Sequence, residues 1–481
     1  MHTKPRSAAL RTLGVLATVA TAAVTLAGCS SSGDDASGKT VITLAGPNQW
    51  NNEAGTFGKP WEDLIARFEK AEPDIEVKTT VLPIASFSDT LSTQLSAGTA
   101  PELIFAQAPH TPEQIVSLDK YLAEPNPFVK GNTKWQDIFN PATFGDANRN
   151  VKGKLEFIPF NLVTAGLFYN EDALKKAGVT APVESIGDLT KACTKLSDAG
   201  YSGLAMDNGS LGTGWTSETI LNNLLAKYFD AWNKYDTAGN PGTADESLSQ
   251  KSLARAVLTG ELDATKTPEV AEAAKLLKDV YDNCATKNWS GTAASATFVG
   301  GQEFLAGKAA TAWGTSFAST NLSDVKWGWS TMPFPTVTKD DTSLASGDGA
   351  RFGASAGGTS YMIPATTKGK KLDAAVKFLQ YVSSPEGGTQ WIKDTDAIPA
   401  TTGTEPSKAV ANLTTGDWAK PSQIGVSALI SKAEAGKNLW DGYLLGTKTL
   451  DQQLTFLESV WKDAAHEGVQ AAGWTEDWTK N

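Results

Sequence analysis

The sequence predicts an α/β protein, because short β-like runs alternate with amphipathic helices from residue 40 onward. The run at 40–45 (TVITLA) predicts a strand, and Trp61 begins an apolar stripe with the spacing of one helix face. A second strand is predicted at 75–81, a helix at 87–95 and a third strand at 102–106. This order predicts a sheet with parallel strands and with helices on its faces.

The same alternation extends along the rest of the chain. Further strands are predicted at 155–159 and 166–169, and helices near 171–177, 185–199, 270–281, 372–379 and 450–461. The chain has 481 residues, which is too long for one ordinary domain even without its N-terminal segment. The sequence therefore predicts two globular lobes, each a mixed or mainly parallel sheet flanked by helices.

The N-terminal segment resembles a bacterial lipoprotein signal. Basic residues come first, an uncharged stretch follows at 12–26, and small residues precede Cys29. That stretch is shorter than the roughly 20 residues of a spanning helix, so a transmembrane anchor is the weaker interpretation, and a buried free cysteine is the other alternative. We predict a signal peptide at 1–28 and a diacylated Cys29 on the outer face of the cytoplasmic membrane, followed by a flexible tether at 29–39.

The mature chain is predicted to be strongly acidic. Removing 1–28 takes away three of the 42 Lys and Arg residues and none of the 53 Asp and Glu residues, so the formal net charge moves from -11 to -14. This charge argues against binding nucleic acid or anionic lipid headgroups. Cys193 and Cys284 then remain. An even pair outside the cell predicts a disulfide, with two free, helix-packed thiols as the alternative.

Sequence motifs for catalysis or for a bound cofactor are missing. The chain has no Ser/His/Asp motif and no phosphate-binding glycine loop, and His110 and His466 lack a partner at metal-ligand spacing. We therefore predict a protein that is not an enzyme and uses no metal or other cofactor. A glycoside hydrolase stays a remote alternative, because two carboxylates about 5 to 10 Å apart are enough for that chemistry.

Three blocks of sequence follow one another in a recognisable order. They are FEKAEPDIEV at 68–77 with LSAGTAPEL at 95–103, then GKL at 153–155 with LFYN at 167–170, then FLAGKAA at 304–310 with WG at 313–314 and AAVKFL at 374–379. In this order and spacing they resemble the extracellular solute-binding proteins of ABC importers, in the sugar-binding group (family 1) that includes the maltose-binding protein. Glu102 departs from that pattern, since the family more often has Asp there.

The resemblance implies a type II periplasmic-binding-protein fold, with two lobes, a hinge and a ligand cleft between them. Crossings between the lobes are expected near 162–165, 313–315 and 358–361. Lobe one would hold 40–162 plus 315–358, and lobe two 163–314 plus 359–481. Gly357 and Gly358 would serve as hinge residues, or form an ordinary loop. The implied partners are an oligosaccharide and ABC permease subunits, and the chain itself is expected to be a monomer. A binding protein for a non-sugar solute, or a signalling co-receptor, is the alternative function.

A sugar-binding cleft needs flat aromatic rings for the C–H faces of the sugar and polar groups for its hydroxyls. The chain has 15 Trp and only 9 Tyr, which suits stacking. Ligand-contacting loops follow the carboxyl ends of strands in such lobes. In lobe one these positions are Gln49, Trp50 and Asn51 after the first strand, and Gln107 after the third, with simple loops as the alternative.

In lobe two, Asp207 and Asn208 follow a predicted strand at 202–206, and Trp215 follows a glycine-rich stretch. Asp207 would bind a sugar hydroxyl by a charge-assisted hydrogen bond or cap the next helix. Trp313 and Trp440 look like the family's stacking positions, with packing between helices as the alternative.

The remaining candidates lie near the expected crossings. Asn161 and Arg351 are weaker candidates for ligand contact, since a loop arginine is usually solvated. Gly357 and Gly358 complete the predicted ligand-binding set. The predicted mechanism is closure of the lobes on the ligand, followed by docking of the closed form on the permease.

Overall fold

The chain folds into two lobes, each with helices packed against a β-sheet. The computed structural model describes residues 38–47, 55–83, 86–144, 148–150, 153–295, 298–354 and 358–480. Within these ranges the strands are β1 (Thr40–Pro47), β2 (Ile75–Leu82), β3 (Leu103–Phe105), β4 (Phe157–Pro159), β5 (Asn161–Leu162), β6 (Ala165–Asn170), β7 (Ser202–Ala205), β8 (Ala309–Thr315), β9 (Trp329–Met332), β10 (Ser360–Met362) and β11 (Ile398–Pro399).

The helices of the same ranges alternate with these strands and also form most of the C-terminal part of lobe two. They are α1 (Lys59–Ala71), α2 (Phe87–Ala97), α3 (Asp119–Leu122), α4 (Glu171–Ala177), α5 (Ile186–Asp198), α6 (Ser210–Leu225), α7 (Phe229–Trp232), α8 (Gln250–Leu258), α9 (Pro268–Cys284), α10 (Gln302–Leu305), α11 (Gly369–Val382), α12 (Pro385–Thr395), α13 (Lys408–Ala411), α14 (Asp441–Leu444) and α15 (Leu450–Ala472). The long α15 begins with a capping box in which Thr449 and Gln452 exchange hydrogen bonds.

The sheet of lobe one has the strand order β2-β1-β3-β10-β4. β1 pairs in parallel with β2 and β3, and β10 runs antiparallel between β3 and β4. β3 (LIF) is buried on both faces, as expected for a central strand covered by helices. Helix α1 packs into this lobe's core through Trp61, Leu64 and Phe68. The predicted β-α-β-α-β start of the chain is therefore confirmed.

The sheet of lobe two has the order β7-β8-β6-β9. β7 and β8 are parallel, while β6 runs antiparallel to both β8 and β9. Apolar side chains from α5, α6, α8, α9 and α15 join those of the sheet in one core. Both lobes thus have mixed sheets. β6 and β10 are the strands that follow a crossing, and each runs antiparallel to its neighbours in the sheet that it joins.

Within the described ranges the chain crosses between the lobes three times. It passes from β5 in lobe one to β6 in lobe two. It returns between Phe352, which packs against the core of lobe two, and Ala354, which packs against the core of lobe one. The last crossing follows β11. Val410 packs in the core of lobe one, and Leu413, three residues later, packs in the core of lobe two. The rest of the chain, including α14 and α15, stays in lobe two.

The predicted assignments of 315–358 to lobe one and of 359–481 to lobe two are wrong for the strands in these ranges. β9 pairs with β6 in lobe two, and β10 pairs with β3 and β4 in lobe one. No crossing occurs at 313–315, because the 3-10 segment Ser316–Leu322 follows β8 and buries Ala318 and Leu322 against Phe168 of the lobe-two sheet. The chain then stays in lobe two until the crossing at 352–354.

The carboxyl ends of several strands face the boundary between the lobes. In lobe one, β4 leads into the first crossing. Tyr361 of β10 pairs with both Phe105 of β3 and Ile158 of β4, so the carboxyl ends of β3 and β4 lie at the same edge of the sheet. In lobe two, β6 begins at the crossing with Ala165 opposite Thr315, the last residue of β8. Loops that follow β3, β7 and β8 therefore lie where α/β proteins bind ligands.

Cys193 and Cys284 form a disulfide with an S–S distance of 2.10 Å. It ties α5 to α9 inside the core of lobe two, where both cysteines are almost fully buried. The bridged pair is thus the arrangement that the structure has, rather than two free thiols. It joins residues 91 positions apart, so it restricts the unfolded chain over a long loop.

Candidate functional site

The loop after β7 lies at the edge of lobe two that faces lobe one. Asp207 is 2% exposed, and its carboxylate accepts backbone hydrogen bonds from Gly209 at 2.8 Å, Gly300 at 2.9 Å and Ser295 at 3.2 Å. These bonds attach the chain around Ser295 and Gly300 to the start of α6. Asp207 therefore holds loops together, which is closer to its predicted capping role than to contact with a sugar.

Asn208 follows Asp207 and has an exposed side chain. Its Oδ1 accepts a long hydrogen bond of 3.5 Å from Nδ2 of Asn438. This contact joins the start of α6 to the C-terminal segment that carries Trp440. The side chain lies where a ligand could reach it, and its predicted role in binding stays a prediction.

Trp313 is fully buried, so its ring is closed to a ligand in this conformation. The ring stacks on Phe334 at a centroid distance of 5.1 Å and contacts Trp418 at 6.2 Å, and its indole N–H donates to Thr216 Oγ1 at 2.9 Å. The prediction that Trp313 stacks on the sugar is not supported, and the alternative of packing inside the lobe describes it. β8 lies between β7 and β6, and an interior strand is covered on both faces.

Two aromatic rings beside Trp313 are only partly buried. Trp215 and Phe352 contact each other edge to face at 6.3 Å, and each contacts Trp313, at 5.7 Å and 6.2 Å respectively. Phe352 also stacks on Trp418 at 5.2 Å. We call Trp215 and Phe352 the aromatic platform. Because Phe352 packs against lobe two and Ala354 packs against lobe one, the platform lies at the boundary between the lobes.

A groove of about 220 Å³ extends along lobe two from Trp215, between α6 and the C-terminal segment. We call it the lobe-two groove. Its walls are mostly apolar and include Leu211, Trp215, Leu221, Val426, Ile430, Leu439, Trp440, Leu457 and Trp461. Leu211 and Ile430 are 41% and 42% exposed, whereas Trp440 is only 3% exposed. Trp440 therefore lines the groove with a small part of its ring and packs in the core with the rest.

Glu218 brings a carboxylate into the wall of this groove. Its Oε1 accepts hydrogen bonds from Ser427 Oγ at 2.8 Å and from Asn222 Nδ2 at 3.4 Å. Burial raises the pKa of the Glu218 carboxyl above its ordinary value, and the two hydrogen bonds oppose that shift. Lys437, a cation in the same wall, forms an ion pair with Glu434 at 3.0 Å.

Asn161 and Gly358 meet where the first two crossings pass each other. Asn161 is fully buried, its Oδ1 accepts the backbone N–H of Thr359 at 2.8 Å, and its Nδ2 donates to the carbonyl of Leu162 at 3.0 Å. A Cβ on Gly358 would lie 2.8 Å from Asn161 Nδ2 and 2.9 Å from a methyl of Val163. Glycine is therefore needed for this close approach, and Asn161 joins the crossings instead of pointing to a ligand.

Gln107 and Arg351 lie on opposite sides of the lobe boundary. Gln107 follows β3 in lobe one and is exposed. Arg351 precedes the platform residue Phe352 in lobe two and is partly buried. The hydrogen bond from Lys420 lowers the pKa of Asp417, and the charge of Arg351 contributes to that shift. The Arg351 charge thus acts within lobe two, and both residues keep their predicted contact with ligand as a prediction.

Some predicted residues lie outside the described residues. They are Gln49, Trp50, Asn51 and Gly357 of the ligand-binding set, and Cys29. In the ranges that the structure does describe, no group of three or more His, Cys, Asp and Glu side chains is placed to hold a metal ion. No helix of those ranges combines the length and the apolar character needed to cross a membrane.

Sequence reasoning missed three features of lobe two. They are the platform residue Phe352 and, in the lobe-two groove, Glu218 and the exposed apolar pair of Leu211 and Ile430. Phe352 directly follows the candidate Arg351, and an aromatic residue in that Gly- and Ala-rich stretch was an available signal. Glu218 lies three residues after Trp215, so the two share a helix face. Ile430 gave no sequence signal, because its position depends on how the C-terminal segment packs against α6.

The fold and the site define a two-lobed binding protein, with an aromatic platform at the lobe boundary and no described metal cluster. The family model for the bacterial extracellular solute-binding proteins matches residues 36–389. This match covers most of the chain, and the chain belongs to that family. The resemblance noted from the sequence blocks is therefore confirmed.

Relatives and solved structures agree with this assignment. The maltodextrin-binding protein MdxE of Bacillus subtilis (strain 168) is 28% identical over 389 residues, covering 79% of this chain and 78% of MdxE. The sn-glycerol-3-phosphate-binding periplasmic protein UgpB of Escherichia coli (strain K12) is 24% identical over 364 residues, covering 73% of each chain. The GacH receptor of Streptomyces glaucescens, solved unliganded and with acarbose, superposes with a TM-score of 0.58 at 18% identity, covering 88% of this chain and 98% of GacH. The predicted fold class is confirmed.

Proposed function

We propose that this chain is the substrate-binding component of an ABC importer, which captures an oligosaccharide between its lobes and delivers it to a membrane permease. The observation that carries the proposal is the aromatic platform of Trp215 and Phe352 beside the lobe boundary. Flat, partly exposed rings match the apolar C–H face of a sugar, and the polar side chains Gln107 and Asn208 lie on the two sides of the same boundary. The names of MdxE and GacH's bound acarbose support a saccharide ligand.

The mechanism follows from the three crossings. A ligand that contacts both lobes stabilises the closed arrangement. The stabilisation equals the difference between its binding free energies for the closed and the open arrangement. The crossings are the segments that absorb the change of backbone angle. The closed form then docks on the permease, whose ATPase subunits supply the energy, so this chain needs no nucleotide site and no catalytic step.

A phosphorylated solute is the alternative that UgpB suggests. Two features argue against it: the platform presents apolar rings, and the adjoining lobe-two groove has the Glu218 carboxylate in its wall and Lys437 already paired with Glu434. A phosphate group would meet an acidic side chain there without a free cation to offset the repulsion. We therefore propose a neutral saccharide, and sn-glycerol-3-phosphate belongs in the ligand panel as a direct comparison.

We also propose that the mature protein is anchored through Cys29. Two acyl chains give stable membrane attachment, and a short tether would keep the receptor close to its permease and raise its effective concentration there. Mass spectrometry of the N-terminal peptide from the membrane fraction should show a diacylated Cys29. Cys29→Ala should leave sugar affinity unchanged and reduce uptake, and equal uptake by the unanchored form would contradict this role.

Isothermal titration calorimetry of the mature protein tests the ligand class. The panel holds malto-, xylo-, gluco- and chito-oligosaccharides, raffinose and sn-glycerol-3-phosphate. At least one saccharide should bind with a Kd in the micromolar range or tighter and should be recovered intact by chromatography. Small-angle scattering with that saccharide should show a smaller radius of gyration. If no saccharide binds, the proposal of a carbohydrate ligand is rejected. If shorter sugars are released, the proposal that the protein is not an enzyme is rejected. An unchanged radius of gyration would count against closure of the lobes.

A further inference from the structure

We propose that the lobe-two groove binds an uncharged, apolar substituent carried by the sugar ligand, such as an aryl or short alkyl group at its end. The inference rests on the proposed function, because it takes the sugar to lie on the aromatic platform. It goes further because it assigns a ligand group to the groove, which an unsubstituted oligosaccharide would leave empty. The ligand class that it names is a glycoside with an apolar aglycone.

The chemistry of the groove walls differs from that of a sugar subsite. Most of the wall is apolar, and the exposed Leu211 and Ile430 stand beside it. Several polar groups of the wall are already engaged: Ser217 donates to the carbonyl of Gly214 at 3.1 Å, Ser427 donates to Glu218, and Lys437 pairs with Glu434. A sugar placed here would have to give up hydrogen bonds from its hydroxyls to water and would find few replacements.

The volume of the groove sets the size of the group that fits. An apolar cavity of about 150 Å³ is large enough to bind benzene, and this groove holds about 220 Å³. One aromatic ring with a small substituent fits that space, as does an alkyl chain of about six carbons. A second sugar ring is of similar size, but its hydroxyls would find a less polar space than they need.

The groove adjoins the platform at one shared residue. Trp215 belongs to both, since its ring contacts Phe352 at the lobe boundary and also lines the groove. Leu211 lies in the first turn of α6, whose start faces lobe one. A ligand whose sugar stacks on the platform can therefore extend its apolar end past Trp215 toward Ile430 and Leu457 without leaving the protein surface.

The charge of the walls excludes an acidic substituent. The Glu218 carboxyl lies in the wall, and burial already disfavours its own charged form. A carboxylate on the aglycone would add a second negative charge next to it in a poorly solvated space. A neutral nitrophenyl group and a carboxyphenyl group of the same size are thus expected to behave differently.

Matched pairs of ligands test the inference by isothermal titration. The saccharide that binds in the panel is compared with its 4-nitrophenyl, hexyl and 4-carboxyphenyl glycosides. The nitrophenyl and hexyl glycosides should bind at least tenfold more tightly than the free saccharide, and the carboxyphenyl glycoside should not. Ile430→Asp should remove the gain while leaving the affinity for the free saccharide unchanged. Leu445→Asp is the matched control, because Leu445 is a 49% exposed apolar residue that does not line the groove, and it should keep the gain.

Equal affinity of the free and nitrophenyl forms, or a gain that survives Ile430→Asp, would overturn the inference and leave the proposed function intact. A fatty acid that co-purifies in the groove, detected by native mass spectrometry and absent from Ile430→Asp, would overturn it in favour of a lipid occupant. 4-Nitroanisole alone, which has no ionisable group, gives a reading that does not depend on the sugar. Saturation-transfer NMR should show it bound to the wild type and at least tenfold less bound to Ile430→Asp, and absence of binding to the wild type would count against the groove even if every saccharide failed.

Discussion

Replacing Trp215 with alanine should weaken ligand binding and should leave the protein folded. Trp215 is partly buried and touches the core through Trp313, with its remaining surface in the lobe-two groove and beside Phe352. A tryptophan at the centre of a binding site commonly contributes about 2 kcal/mol or more, which corresponds to a roughly 30-fold rise in Kd. Its partial burial sets a smaller cost for the fold, about half of the 3–5 kcal/mol expected for a fully buried tryptophan.

Calorimetric titration with the saccharide that binds in the panel gives the Kd, and urea unfolding gives the stability of the same samples. Trp478→Ala is the matched control, because Trp478 is also a partly buried tryptophan of lobe two whose indole N–H donates to the Tyr235 hydroxyl at 2.9 Å. Its Kd should equal that of the wild type. Trp313→Ala provides the opposite case, since its fully buried ring should cost about 3–5 kcal/mol of stability.

The reasoning would be refuted by a folded Trp215→Ala protein with an unchanged Kd. Equal weakening by Trp478→Ala would refute it as well, because the loss would then come from general destabilisation of lobe two. Trp215→Phe separates the two contributions further. It keeps an aromatic face for stacking and should recover part of the affinity, whereas a residue needed only for packing would show recovery of stability alone.

Three further changes test the electrostatics and the crossings. Glu218→Gln should stabilise the fold at pH 7, because burial disfavours the charged carboxylate. This gain in stability should disappear as the pH falls toward the ordinary glutamate pKa of about 4.3. A gain that is independent of pH in urea titrations would contradict this. The pKa of Asp263 is lowered to about 2. Burial acts in the opposite direction, but the hydrogen bond from Lys266 and further hydrogen bonds outweigh it. Asp263→Asn should therefore cost about 1–2 kcal/mol at pH 7 and little near pH 2, and an equal cost at both pH values would reject the assignment. Gly358→Ala should lower the free energy of unfolding by about 1–3 kcal/mol through overpacking. Gly291→Ala is the control and should lower it much less, because the space around its Cβ position is open. Equal melting temperatures of the two variants would contradict the close approach at Gly358.

Local periodicity explains why much of the fold was predictable. The apolar stripe that begins at Trp61 faces the core of lobe one because a helix places such residues on one side whatever it packs against. The loop after β7 was also found correctly, because a strand followed by polar and glycine residues ends at a sheet edge. These inferences need only the neighbouring residues in the chain.

Features that depend on distant partners were not predictable in the same way. Trp313 follows the pattern of a strand end, and its complete burial comes from Phe334, Trp418 and Thr216, which lie elsewhere in the sequence. The lobe assignments failed for a related reason. A crossing is a short segment, and nothing local distinguishes Thr315 from Phe352. Thr315 continues into a 3-10 segment of the same lobe, whereas the chain changes lobe directly after Phe352.

The aromatic platform is hydrogen-bonded to the segments that must move when the lobes close. Phe352 and Gly353 donate their backbone N–H groups to the carbonyl of Trp418 at 3.3 and 2.9 Å, and the Trp418 indole N–H donates to the carbonyl of Ala165 at 3.1 Å. The Thr164 hydroxyl in turn donates to the carbonyl of Gly353 at 2.8 Å. The first crossing, the approach to the second and the chain after the third are thus joined at one point. A sugar stacked on Phe352 acts directly on that point, so its binding energy can favour one arrangement of the crossings over another without a separate relay through the lobe.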